Sequence, residues 1–307
     1  MEPIKTILVG LDISDIDETL IDHVIRASQR VDIQKVYFIN VQKSLDLPEE
    51  ILQKYPNMLA PKDEQIKQII TDKLNTSPEG KLNAAYELNI IEGTVTDQLL
   101  KWTKIKEVDL LILGKKLSFE SSGISASKIA KLVPCSVFFI PEAMPLDPST
   151  FVVPIDFSGP SKNALEQALL IKRFYDDVHI KCVHFYEVPS GYHTSGKSFE
   201  EFERIMKENA QKEYQKFIAT FPQTDDGPIE CDFVLDKSEN VASQILKYAL
   251  REQASGIIMG SKGRTKAASF ILGSVAEKLL GINTHLPIFI AKDKNKNLDF
   301  LEALINT

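Results

Sequence analysis

The sequence predicts an α/β protein made of two tandem copies of one open, parallel sheet. Three observations carry this. Short apolar runs such as Lys5–Asp12 (KTILVGLD) and Val108–Gly114 (VDLLILG) lack polar alternation and read as strands buried on both faces. Stretches with helical spacing lie between them, and alternating strands and helices build parallel sheets through right-handed crossovers. The order then recurs: Asp12 and Asp156 are 144 residues apart, Gly114 and Gly260 146, and Val137 and Ile288 151. A period that long marks a duplicated domain rather than a solenoid repeat.

In the first copy, Ser14-Asp15-Ile16-Asp17 offers a helix start with acid in its first turn, and Leu20, Val24, Ala27 and Val31 continue at helical spacing. Val36–Val41 is the next strand. Residues 45–74 are polar and mostly helical in pattern, broken by Pro48, Pro56 and Pro61. A strand over Tyr86–Glu92, a helix over Thr94–Lys104 capped by Thr94 or Thr96, the strand Val108–Gly114, a helix over Ala126–Leu132 and a strand over Val137–Ile140 complete the copy. Pro141–Ser149 (PEAMPLDPS) suits a linker, so the domains are 1–143 and 149–307.

The second copy opens on Thr150–Asp156 (TFVVPID). Ser158-Gly159-Pro160 starts a helix with proline near its first turn. A strand over Val178–Phe185, a long amphipathic helix over Phe199–Phe221, a strand over Ile229–Leu235 and a helix over Ser238–Leu250 follow. The strand Gly256–Gly260, the helix Ser274–Leu280 and the strand Ile288–Ala291 end the domain. Leu298, Leu301, Leu304 and Ile305 then mark a short tail helix.

The chain has 307 residues, enough for two ordinary domains, and a formal net charge of −7, which argues against a nucleic-acid partner. Cys135, Cys182 and Cys231 are too few and too far apart for a disulfide framework or a metal motif, and read as buried free thiols. The N-terminus (MEPIKTILVGLD) lacks a secretory pattern, and no apolar run reaches the roughly 20 residues of a membrane span. The expectation is a cytoplasmic protein without membrane partners.

The chemistry points to one stretch, Met259–Leu280 (MGSKGRTKAASFILGSVAEKLL). A buried strand here ends in Gly260 and Gly263, and a helix restarts at Gly273-Ser274. Such an arrangement presents backbone N–H groups to an anion at the C-terminal edge of a parallel sheet. Glycines allow close backbone approach, Ser274 offers an N–H and a hydroxyl, and Lys262, Arg264 and Lys266 add positive charge. The expectation is a cradle for nucleotide phosphates.

Gly260, two residues, Gly263, nine residues, then Gly273-Ser274 resembles the signature of the ATP-binding branch of the universal stress protein family, and the resemblance covers essentially the whole chain as two copies. It implies two tandem Rossmann-like domains, each a five-stranded parallel sheet of order 3-2-1-4-5 flanked by helices. It also implies ATP, with or without Mg²⁺, in the second crevice. The site residues it implies are Asp156, Phe185, Gly260, Gly263, Arg264, Gly273 and Ser274, with Asp156 and Phe185 on the adenine side. Family members commonly carry a small aliphatic residue where Phe185 stands. The halves are expected to form an intramolecular pseudo-dimer through their last strands, with a further homodimer open.

The first copy reads Gly114-Lys115-Lys116-Leu117, five residues, then Gly123-Ile124. Leu117 and Ile124 replace the second glycine and the hydroxyl residue, so this half is expected to be a degenerate domain that binds no ATP or binds it poorly. No P-loop, nucleophile elbow or metal-binding histidine spacing occurs, and neither catalytic nor metal residues are assigned. The favoured function is a nucleotide-binding module or regulator of a stress response. A slow ATPase at the same crevice, and a partner-binding protein without nucleotide, are the alternatives.

Overall fold

A computed structural model describes residues 3–44, 62–115, 126–142, 148–173, 177–221, 228–237, 240–263, 272–283 and 285–295. They fall into two units, residues 3–142 with 294–295 and residues 148–293. The sequence placed everything after 149 in the second domain. Lys294 instead belongs with the first unit, where its Nζ donates to Asp109 Oδ1 at 2.6 Å. The expected tail helix lies outside the described residues.

The first unit contains β1 (Thr6–Leu11), β2 (Lys35–Gln42), β3 (Ala85–Glu92), β4 (Leu110–Lys115) and β5 (Ser136–Pro141), all parallel, in the order 3-2-1-4-5. Its helices are α1 (Ile16–Arg30), α2 (Lys62–Thr76), α3 (Val95–Ile105) and α4 (Ala126–Leu132). The second unit repeats the plan with β6 (Thr150–Pro154), β7 (His179–Tyr186), β8 (Cys231–Leu235), β9 (Gly256–Gly260) and β10 (Ile288–Ala291), again all parallel and in the same order counted from β6. Its helices are α5 (Gly159–Lys172), α6 (Phe199–Ile218), α7 (Val241–Arg251) and α8 (Ser274–Ile282). A 3₁₀ helix at Ser190–Ser195, which the sequence pattern did not reveal, precedes α6.

Burial follows position in the sheet. The middles of the central strands are interior: Leu8, Val9, Val152, Val153 and Ile258 are inaccessible, and all of β9 and β10 is buried. The edge strands β3 and β8 are half-exposed, as strands with one free side must be.

Local capping sets the helix starts. Ser158 caps α5 by accepting from Ser161 N, with Pro160 in the first turn, where its missing N–H costs nothing. Ser198 and Glu201 form a reciprocal capping box at α6. Asn240 caps α7, and Thr94 caps α3. At α1 the expected side-chain cap is missing: the N-cap is Asp15, without a cap hydrogen bond, and Asp17 turns its carboxylate toward the preceding loop.

Among the described residues no helix is long and apolar enough to cross a membrane. Cys135 and Cys182 are buried and Cys231 half-buried, all as free thiols, and burial pushes the Cys182 thiol up to about 12.

Candidate functional site

In the second unit β6 lies between β7 and β9, where the strand order reverses. A cavity of about 720 Å³ opens there, lined by the ends of β6, β7 and β9, the start of α8 and one side of α6. This is where an open parallel sheet takes a ligand.

The opening has a local cause. β6 pairs with β9 over two registered positions, Phe151↔Gly256 and Val152↔Ile257, whereas β1 and β4 pair over four, from Ile7↔Leu110 to Gly10↔Leu113. Ile155 N donates to Val183 O of β7 at 2.8 Å, so Pro154, one residue earlier, turns its backbone toward β9. Proline has no N–H to give. The ladder therefore stops and the strand ends part. Gly10 holds the corresponding place in the first unit and keeps its pairing.

Asp156 leaves β6 at the cavity wall. Its Oδ1 accepts from Ser158 N at 3.1 Å and Ser158 Oγ at 2.5 Å, which ties it to the cap of α5. Between them Phe157 adopts φ +64°, a left-handed backbone in a bulky residue, and Ile13 repeats this at φ +63° in the first unit. Such shared strain marks a turn enforced by its surroundings.

The glycines serve close approach, not left-handed turns: Gly260, Gly263 and Gly273 are absent from the positive-φ glycines of the described chain. A Cβ on Gly260 would lie 2.5 Å from Pro160 O, and one on Gly263 would lie 2.9 Å from Asp156 Oδ2. The glycine loop is thus drawn against the first turn of α5 and against the aspartate. Gly273 N donates to Ser261 O at 2.7 Å and closes the loop at its base. That N–H is spent within the protein, which leaves the amides that begin α8 at Ser274 as the donors of a helix N-terminus.

Of the residues the sequence singled out, Asp156, Phe185, Gly260, Gly263, Gly273 and Ser274 all line this one cavity, as does Lys262, whose ammonium is held below its ordinary value by burial. Arg264 and Lys266 lie outside the described residues. Phe185 is half-buried in register with Val234. His184 is buried and also lines the cavity. The part of Pro154 was missed, although a proline at the end of a central strand was its visible signal.

The first unit differs at the equivalent turn. Asp17 stands where Ser161 lines the second cavity, and it is fully buried. Its carboxylate accepts from Asp12 N at 3.1 Å and Ile13 N at 2.8 Å. Burial raises its pKa, and the neighbouring Asp12 adds to the rise, against the two backbone donors and Lys73. Lys73 Nζ donates to Ser14 O at 2.8 Å and pairs with Glu18. Lys115 is buried at the end of β4, with its pKa lowered to about 8 by desolvation. Leu117, Gly123 and Ile124 lie outside the described residues. A buried carboxylate holding the loop amides opposes an anionic ligand at that place.

A carboxyl whose folded pKa lies above its unfolded value favours folding below the unfolded value and loses that advantage as pH climbs through the raised one. Wild-type stability relative to Asp17→Asn is therefore expected to fall as pH rises from the ordinary 3.8 toward neutrality. Paired thermal melts across that range test this; a pH-independent difference refutes it.

The chain matches the universal stress protein family model twice, over residues 3–141 and 149–284, and belongs to that family. It is 28% identical over 148 residues to a universal stress protein of Methanocaldococcus jannaschii, covering 47% of this chain and 82% of the relative. A functionally unknown protein from Pseudomonas aeruginosa PAO1 has the same fold, with TM-score 0.66 and 12% identity, over 99% of this chain and 98% of the other. A universal stress protein from Archaeoglobus fulgidus superposes with TM-score 0.55 and 17% identity, over 94% and 98%.

Proposed function

We propose that this tandem universal stress protein binds ATP in its second unit alone and acts in the cytoplasm as a nucleotide-dependent module of a stress response. One observation carries the reading: a cavity of about 720 Å³ at the sheet's switch point, with a glycine loop drawn so close that a Cβ on Gly263 would lie 2.9 Å from Asp156 Oδ2. That close approach fits a ligand that reads backbone amides, as phosphates do.

In this reading the amides opening α8, Ser274 and the lysine side of the loop at Lys262 hold the phosphates, and Arg264 joins them. Asp156 and Phe185 take the nucleoside end. The half-buried ring of Phe185 offers a face for a base to stack on, each such contact being worth about 1–3 kcal/mol. Bound ATP supplies a state that a partner can distinguish, since ligand binding stabilises the unit that holds it. The first unit, with Asp17 buried at the corresponding place, takes no nucleotide.

Isothermal titration of the full chain with ATP, with and without Mg²⁺, tests the reading. One ATP per chain is the expected stoichiometry. Two sites of similar affinity contradict the division of labour, and an absence of heat, together with no co-purifying nucleotide in native mass spectrometry, refutes ATP binding.

A further inference from the structure

Asp156 can serve a ligand only if the peptide that carries it is held still, and two contacts from a single ring do this. The ring belongs to His184 on β7, 8% exposed at the cavity wall. Its Nδ1 lies 2.7 Å from Ile155 O, the last carbonyl before Asp156. A carbonyl only accepts, so Nδ1 carries the proton and donates. The same ring stacks on Phe157, the residue after Asp156, with centroids 4.4 Å apart and planes 30° apart. His184 therefore grips the chain on both sides of the aspartate. Phe233 of β8 backs the ring edge-on at 6.2 Å, and Phe217 of α6 supports Phe157 at 5.9 Å.

The sister unit separates the two contacts. There Asn40 occupies the place of His184, is 1% exposed, and donates from Nδ2 to Leu11 O at 2.9 Å. The residue after Asp12 is Ile13, so no ring stack forms, while the left-handed backbone at that residue is retained. The hydrogen bond to the last strand carbonyl is thus common to both units. The aromatic clamp is confined to the unit with the glycine loop.

We infer that His184 is a positioning residue for the nucleotide pocket: it holds the Ile155–Phe157 turn so that Asp156 meets the glycine loop at Gly263. The inference rests on the reading that this crevice takes ATP. Removing the hydrogen bond leaves a buried carbonyl unpaired, and removing the stack frees a strained turn.

The test compares ATP titrations of the full-length wild type, His184→Leu and His184→Asn, with circular dichroism to establish that each is folded. His184→Leu loses both contacts and is expected to weaken ATP by roughly tenfold or more. His184→Asn copies Asn40, keeps the hydrogen bond and is expected to recover part of that loss, a rescue that filling of space alone would not produce. Wild-type affinity in folded His184→Leu, or no rescue by asparagine, overturns the inference. Long-range ¹H–¹⁵N spectra of the wild-type imidazole read the tautomer without nucleotide: a protonated Nδ1 is expected, and a neutral ring protonated at Nε2 alone overturns it. Failure of the wild type to bind ATP refutes the pocket reading itself, and the tautomer still decides whether the clamp exists.

Discussion

Replacing Gly263 by leucine is expected to weaken ATP binding by roughly a hundredfold, about 3 kcal/mol, while the protein stays folded. Gly263 is exposed, and its φ lies outside the left-handed region, so a side chain there strains no backbone and displaces no core. Its Cβ, however, would come within 2.9 Å of Asp156 Oδ2. The carboxylate would have to swing away, and the leucine would stand where the loop backbone faces the crevice. The first domain already carries Leu117 at the matching place in its own sequence. Titration with ATP and a thermal melt separate the outcomes: unchanged affinity in a folded variant refutes the assignment of the loop.

Gly260→Ala is expected to act on stability instead, by about 3 kcal/mol, near the upper end of what overpacking costs. The added methyl would sit 2.5 Å from Pro160 O, 2.6 Å from its carbonyl carbon and 2.8 Å from its Cβ. Two of these atoms are backbone in the first turn of α5, and a proline ring cannot rotate away. Gly114→Ala in the first domain is the control. The three atoms nearest its methyl would all belong to the Ile16 side chain, the nearest being Cδ1 at 2.8 Å, and an isoleucine can move at a smaller cost of about 1 kcal/mol. Hydrogen exchange localises the effect: amides of β9 lose protection in the first variant more than those of β4 do in the second. Equal losses would show that Pro160 is not the rigid partner.

Much of the fold was legible because central strands of a parallel sheet are apolar on both faces and short of polar interruptions. KTILVGLD and VDLLILG could be read as such, and their repetition near 144 residues exposed the duplication. The ends of elements were less legible. Asp17 looked like a first-turn acid of α1 and is a buried acceptor of two loop amides; the helix expected over Ser238–Leu250 is described from Val241, with Asn240 as its cap. Short polar side chains near a helix start have several backbone donors within reach, and only the folded loop selects one.

By itself the sequence determined the α/β class, the two copies and the loss of a glycine and a hydroxyl from the first loop. These follow from residue type and spacing, which are local properties of the chain. Only the tertiary structure decided that Asp156 faces Gly263, that Pro154 opens the crevice by ending a ladder, that His184 grips the turn on both sides of Asp156, and that Asp17 holds the corresponding loop of the sister unit. Each of these joins residues from strands, loops and helices far apart in the sequence. Which atoms meet there depends on sheet register and loop closure, and neither is written in any one stretch of residues.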